Sequence, residues 1–196
     1  MGRARRFDES NLLDAATELF WSNGYDSTSV EDVSAATGVG NGSIYAAYGS
    51  KQGLFLAAFE RYCEARAQFV RATTESAPGT ARSAIRALLR AIIEDCATQP
   101  HRRGCLMINS VAHLASRIPE VATIASRTTT AMESGVATRL HPAAHTVTTA
   151  EVSALSANII LVSQGLIQLS RLHTSPTRLT EIAEITCAGL PSWADK

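Results

Sequence analysis

The sequence predicts an all-α fold, and three observations carry that prediction. Apolar residues recur at helical spacing along the chain, no alternating run is long or β-branched enough to make a strand, and helix-capping residues stand just ahead of the apolar stripes. With 196 residues, 45% of them apolar, the chain can bury the core of one or two globular domains.

Taken in order, Asp8 is the expected N-cap of a first helix to Ser22, with Leu12, Ala16, Leu19 and Phe20 on its buried stripe and Asn23-Gly24 ending it. Thr28 with Glu31 and Ser29 with Asp32 both fit the capping-box pattern, so a short helix begins near Val30 and stops at Gly38. Ser50 caps a long helix through Glu75, which "ESAPGT" breaks. Ile85, Leu88, Leu89, Ile92 and Cys96 mark an amphipathic helix ending at Gln99-Pro100, and residues 104–116 and 120–140 read as two more. Thr148 with Glu151 supplies another capping box, and Ser175-Pro176 opens a last helix through Ala188.

The long helix after Thr148 carries Val152, Leu155, Ile159, Val162, Leu166 and Leu169 at spacings of 3, 4, 3, 4 and 3, the seam of a helix packed lengthwise on another. Ile160 and Ile167 add a second apolar flank, and the last helix adds Leu179 and Ile182. One reading is that both helices complete the monomer's core. The favoured one is a homodimer interface, because seam and flank together exceed what one neighbouring helix covers.

Charge and composition narrow the function. Eighteen basic residues balance eighteen acidic ones, so any nucleic-acid partner must be met by local charge. The opening "MGRARRFDES" lacks the apolar segment of a signal peptide, and unbroken apolar runs such as residues 159–162 are too short for a bilayer; a cytoplasmic protein without a membrane partner is expected. Cys63, Cys96, Cys105 and Cys187 form no C-x-x-C pair, and Pro142 interrupts the His141/His145 spacing, so neither a metal nor another cofactor is expected. No nucleophile–base set stands out to suggest an enzyme.

The stretch "TGVGNGSIYAAYGSK", residues 37–51, is the most informative. It is not a dinucleotide loop, since Ser43 stands where the third glycine belongs and no strand precedes it, and it is not a Walker loop, since Lys51 follows Gly49 and Ser50 in the wrong order. It fits a helix-turn-helix: a turn at Gly38 with Ser34 at the crossing, Val30, Val33, Val39 and Ile44 inside, and a second helix presenting Asn41, Gly42, Ser43, Tyr45 and Ala46 outward.

With Phe20, Gly24 and Tyr25, the run "TSVEDVSAATGVGNGSIYAAYGSKQGLF" resembles the DNA-binding region of TetR-type (tetracycline repressor-like) transcriptional regulators, and "RGCLMINS" resembles a segment found in the C-terminal domains of one branch. The resemblance implies a helix-turn-helix DNA-binding domain over residues 1–53 and a helical-bundle ligand-binding and dimerisation domain over 54–196. It implies a double-stranded DNA operator and a small-molecule effector as partners. Carried onto this chain, it makes Asn41, Gly42 and Ser43 base-facing, an asparagine being able to bridge adenine N6 and N7. Tyr45, Lys51 and Thr28 or Ser29 become phosphate contacts, the last pair aided by a helix N-terminus. Arg3, Arg5 and Arg6 would form a basic arm on phosphates or in the minor groove.

Departures accompany the likeness. Gly40 replaces a usual capping serine, Ala46 and Ala47 replace bulkier residues, and residues 1–53 carry four basic against seven acidic side chains, a net charge of −3. In the C-terminal half, Leu89, Met107, Asn109, Ser110, His113 and Met132 are the candidate effector lining, apolar with a few polar handles. Cys105, beside His101, Arg102 and Arg103, offers a thiol switch as an alternative input. The leading expectation is a ligand-responsive regulator, a repressor released from its operator by a hydrophobic effector. Its alternative is a helical small-molecule-binding or interaction protein with little DNA affinity.

Overall fold

A computed structural model describes residues 7–141 and 147–195; Arg3, Arg5, Arg6 and His145 lie outside them. Nine α-helices run through the described residues: α1 (Glu9–Asn23), α2 (Val30–Thr37), α3 (Asn41–Tyr48), α4 (Lys51–Ser76), α5 (Ala81–Thr98), α6 (Leu106–Leu114), α7 (Pro119–Leu140), α8 (Thr149–Arg171) and α9 (Pro176–Ala188). Their starts follow from local chemistry. Asp8, Ser50, Thr80 and Ser175 each accept backbone N–H bonds at the N-cap, and Ser29/Asp32 and Thr148/Glu151 close two-way capping boxes. Such caps satisfy donors that the helix itself leaves open.

Helices α1, α2 and α3 close around Leu12, Ala16, Phe20, Val30, Val33 and Ile44, all buried. Phe20 meets Phe55 of α4 edge-on at 5.2 Å between ring centroids, and Phe55 stacks with Phe59 at 5.6 Å. This aromatic row continues the head's core into α4. The boundary expected between residues 53 and 54 therefore falls inside α4, which packs on α1 and α3 at its start and along α7 and α5 further on.

The rest is a bundle in which α5 and α7 pack on α8, and α9 lies against α5 and α8. Arg82 ties the end of α9 down by donating to the Cys187, Leu190 and Pro191 carbonyls and to Asp195. Helix α8 is long and apolar enough to cross a bilayer by length and composition, although its apolar residues are interrupted by polar ones; here it is packed against α5, α7 and α9.

That packing corrects part of the expected dimer seam. Val152, Ile159, Leu166 and Leu179 are buried within the monomer, because α5 and α7 take the inward side of α8, whereas Leu155, Val162, Leu169 and Ile182 are half-buried at its flanks. The apolar surface left outside sits elsewhere on the two helices: Leu161, Leu172 and Ile185 are 65%, 75% and 69% exposed.

Candidate nucleic-acid interface

Helix α2 closes at Gly38, whose φ of 71° and N–H bond to Ser34 O turn the chain sharply toward α3. Helix α3 starts at Gly40, which offers no side-chain cap; the Ser43 and Ile44 N–H groups both donate to Gly40 O, and no side chain caps the first turn. Gly42, Ser43, Tyr45 and Ala46 are exposed while Ile44 is buried. One face of α3 thus anchors the helix and the other is presented.

Within that face, Asn41 Nδ2 lies 3.4 Å from Glu31 Oε1, and its Oδ1 has no partner among the described residues. Tyr45, 44% exposed, projects from the middle of α3. Tyr48 turns inward and donates to Glu9 Oε1 at 3.1 Å. Lys51 donates to Asp26 O at 3.2 Å and stands 4.5 Å from the Tyr25 ring centroid, which fixes its ammonium at the junction of α4 with the α1–α2 turn.

Two sequence readings are corrected at the α2 start. Thr28 is 1% exposed and its hydroxyl donates to Gly24 O and Leu19 O, so it neither closes a capping box with Glu31 nor reaches a phosphate. Ser29 takes the cap, in a reciprocal arrangement with Asp32 whose backbone and side-chain hydrogen bonds hold that carboxyl below its ordinary range.

The acidic balance of the head also finds its answer outside the head. Arg61 of α4 pairs with Asp14, Arg103 with Glu18, and Arg117 with Asp26. Three guanidiniums from outside residues 1–53 therefore neutralise three of its acids. The hydrogen bond from Arg103 leads the effects that lower the Glu18 pKa, and the one from Arg117 does the same for Asp26.

Gly53 was overlooked by the sequence reading beyond its place in the motif. A Cβ there would stand 2.0 Å from the Tyr48 carbonyl oxygen, so a bare α-carbon is what lets the first turn of α4 lie against the end of α3. The signal available was its fixed place two residues after Lys51, within a stretch otherwise accounted for by caps and core.

In the other half, the six expected effector-lining residues do not share one cavity. Met107 and Met132 border an apolar interior cavity of about 30 Å³ with Ile160 and Ile167. Asn109, Ser110 and His113 line a separate cleft of about 490 Å³ between the head and the bundle. Leu89 reaches neither; it is fully buried in side-chain packing on α5. Cys105 is buried at the N-cap of α6, 3.4 Å from Tyr62 Oη; Arg103 is drawn to Glu18, whereas Arg102, which donates to Thr174 O, borders the same small cavity as Cys105. Of the basic residues read from the sequence, Arg103 is thus held by Glu18.

A helix-turn-helix head with an exposed α3, carried on a helical bundle, is the architecture that the resemblance to tetracycline-repressor-type regulators implies. Residues 12–58 match the family model of the bacterial regulatory proteins of the tetR family. The chain is 34% identical over 122 residues to the uncharacterized HTH-type transcriptional regulator YezE of Bacillus subtilis, covering 62% of each chain. It is 34% identical over 127 residues to the HTH-type transcriptional repressor ComR of Escherichia coli, covering 64% of this chain and 60% of that one. The matched regions thus span about three-fifths of these relatives. In fold it is similar to a cysteine mutant of the TetR family transcriptional regulator CifR complexed with 26-bp double-strand operator DNA, with a TM-score of 0.75 and 24% identity over 96% of this chain and 100% of that one. Residues 12–58 thus match the helix-turn-helix region of the tetR family, and the chain as a whole has the fold of tetR-type regulators.

Proposed function

We propose that the protein is a homodimeric DNA-binding transcriptional regulator that represses by occupying an operator. The observation that carries this is the exposed face of α3, with Asn41, Gly42, Ser43 and Tyr45 presented on a helix anchored by Ile44. Asn41 and Ser43 would read base edges, Gly42 would admit the groove floor, and Tyr45, Lys51 and Ser29 would hold phosphates. The arm of Arg3, Arg5 and Arg6 would add affinity without adding specificity. Repressor and regulator relatives support the reading, as does a fold neighbour whose own structure includes operator DNA.

Two heads must be held a fixed distance apart to meet successive major grooves. The exposed Leu161, Leu172 and Ile185 on α8 and α9 are suited to pack against a second copy. An effector would enter the bundle at Met107, which with Ile108 separates the interior cavity from an open apolar groove of about 410 Å³ between α6, α7 and α8. The interior volume is below that of ordinary ligand sites, so methionine rearrangement would accompany entry. The test is a mobility-shift titration on the DNA upstream of the protein's own gene, at stated salt. A saturable, sequence-dependent shift is expected; a shift equal to that of scrambled DNA would favour a bundle that binds small molecules or proteins only.

A further inference from the structure

We infer that the cleft between the head and the bundle is a binding site for a small aromatic carboxylate, with Arg171 as its counter-ion. The cleft measures about 490 Å³, within the range of small-molecule sites. Its lining includes the aromatic side chains of Trp21 and Tyr25, with Phe20 and Phe55 almost wholly buried, beside polar and charged groups that include Asp26, Arg117 and Arg171. The two arginines are not equivalent. Arg117 is committed to Asp26 through two hydrogen bonds of 3.2 and 2.8 Å, so that pair is internally balanced. Arg171 has no carboxylate partner among the described residues; it donates once, to Asn109 Oδ1 at 2.7 Å.

Its placement is built rather than incidental. Asn109 Nδ2 donates to Arg103 O at 2.9 Å, which fixes the amide's orientation and turns its oxygen toward Arg171. The stem of Arg171 lies over Gly104, where a Cβ would come within 2.4 Å of its Cδ, and Gly104 sits at φ 76°. A glycine in left-handed backbone and an oriented amide thus hold one guanidinium in a cleft that Trp21 and Tyr25 also line, with most of its N–H groups unused. Guanidinium geometry suits a carboxylate, which it can meet with two parallel hydrogen bonds. The site is distinct from the apolar interior cavity proposed above for an effector. As an effector site it rests on the regulator reading; as a binding site it does not, and binding without DNA is what is measured.

The experiment is calorimetric titration of the full chain with benzoate and phenylacetate, against the neutral benzamide and phenylacetamide. Saturable carboxylate binding is expected, with the amides weaker by about tenfold or more, as for loss of a charge-assisted hydrogen bond. Arg171→Gln should weaken benzoate by about the same factor, and Arg171→Lys should recover part of it. Arg139→Gln, an arginine outside the cleft that donates to Gly79 O, should leave benzoate binding unchanged. No saturable carboxylate binding, equal affinity for acid and amide, or undiminished binding by Arg171→Gln would each overturn the assignment, whatever the DNA titration gives.

Discussion

The guanidinium carbon of Arg103 lies 3.7 Å from the centroid of the Trp21 indole, while both of its terminal nitrogens reach Glu18. Trp21 and Glu18 belong to α1, and Arg103 precedes α6, so one side chain fastens the reading head to the bundle. Arg117 and Asp26 make a second tie beyond the far end of α6. A regulator needs such coupling, because an event in the bundle reaches DNA only through contacts that favour one placement of the heads.

Arg103→Ala should lower stability by about 1–3 kcal/mol, through loss of the cation–π contact and the uncovering of Trp21. Urea unfolding followed by tryptophan fluorescence measures this. Arg103→Lys should recover only a part, since an ammonium cannot both stack on the indole and span the carboxylate.

The same tie sets a pH dependence. Glu18 is held below its ordinary pKa, first by the Arg103 hydrogen bond, so its contribution is present above the unfolded-state value and disappears as pH falls through the folded one. The carboxylate is partly exposed, so a double-mutant cycle of Arg103 and Glu18 should give only about 0.5–1 kcal/mol at neutral pH. The coupling should vanish in acid below the carboxylate range. A coupling that persisted there would contradict the pairing.

Gly53→Ala should cost about 1–3 kcal/mol or more, because the added methyl meets a backbone carbonyl rather than a flexible side chain. It should also weaken DNA binding while leaving benzoate binding in place, since the displaced segment is the end of α3. Thermal unfolding and the two titrations separate these effects.

Burial pushes the Cys63 thiol up to about 12, and Cys96 and Cys187 are raised for the same reason. The three should resist iodoacetamide at neutral pH until the chain is unfolded. Peptide mapping after alkylation checks this, and reports separately whether Cys105 reacts in the native protein.

Sedimentation of Leu161→Glu and Ile185→Glu variants tests the association surface. Both residues are mostly exposed, so the variants should stay folded but run as monomers. Dimers of both variants would place the interface elsewhere.

Helix positions were legible in the sequence because caps act locally: Asp8, Ser29, Ser50, Thr148 and Ser175 each satisfy N–H groups two or three residues away. The exposed face of α3 was legible for the same reason, as it follows from one short turn and one buried isoleucine. What joins distant segments was not. Nothing local marks Arg103 for Trp21, or Arg117 for Asp26, and the helical spacing in α8 shows that a face is apolar without saying which helix covers it. Hence Val152, Ile159 and Leu166 went to the monomer's core, and the outward surface fell to Leu161 and Leu172. Thr28 was misread because two adjacent residues fit one capping pattern, and only burial selects Ser29.

The central claim is that α3 reads DNA, and fluorescence anisotropy on a labelled operator fragment, found by footprinting upstream of the gene, tests it most directly. Asn41→Ala and Tyr45→Ala should each weaken binding by about tenfold, while Asn41→Ala alone relaxes discrimination between operator and mutated operator. Wild-type affinity and discrimination in both variants would contradict the account.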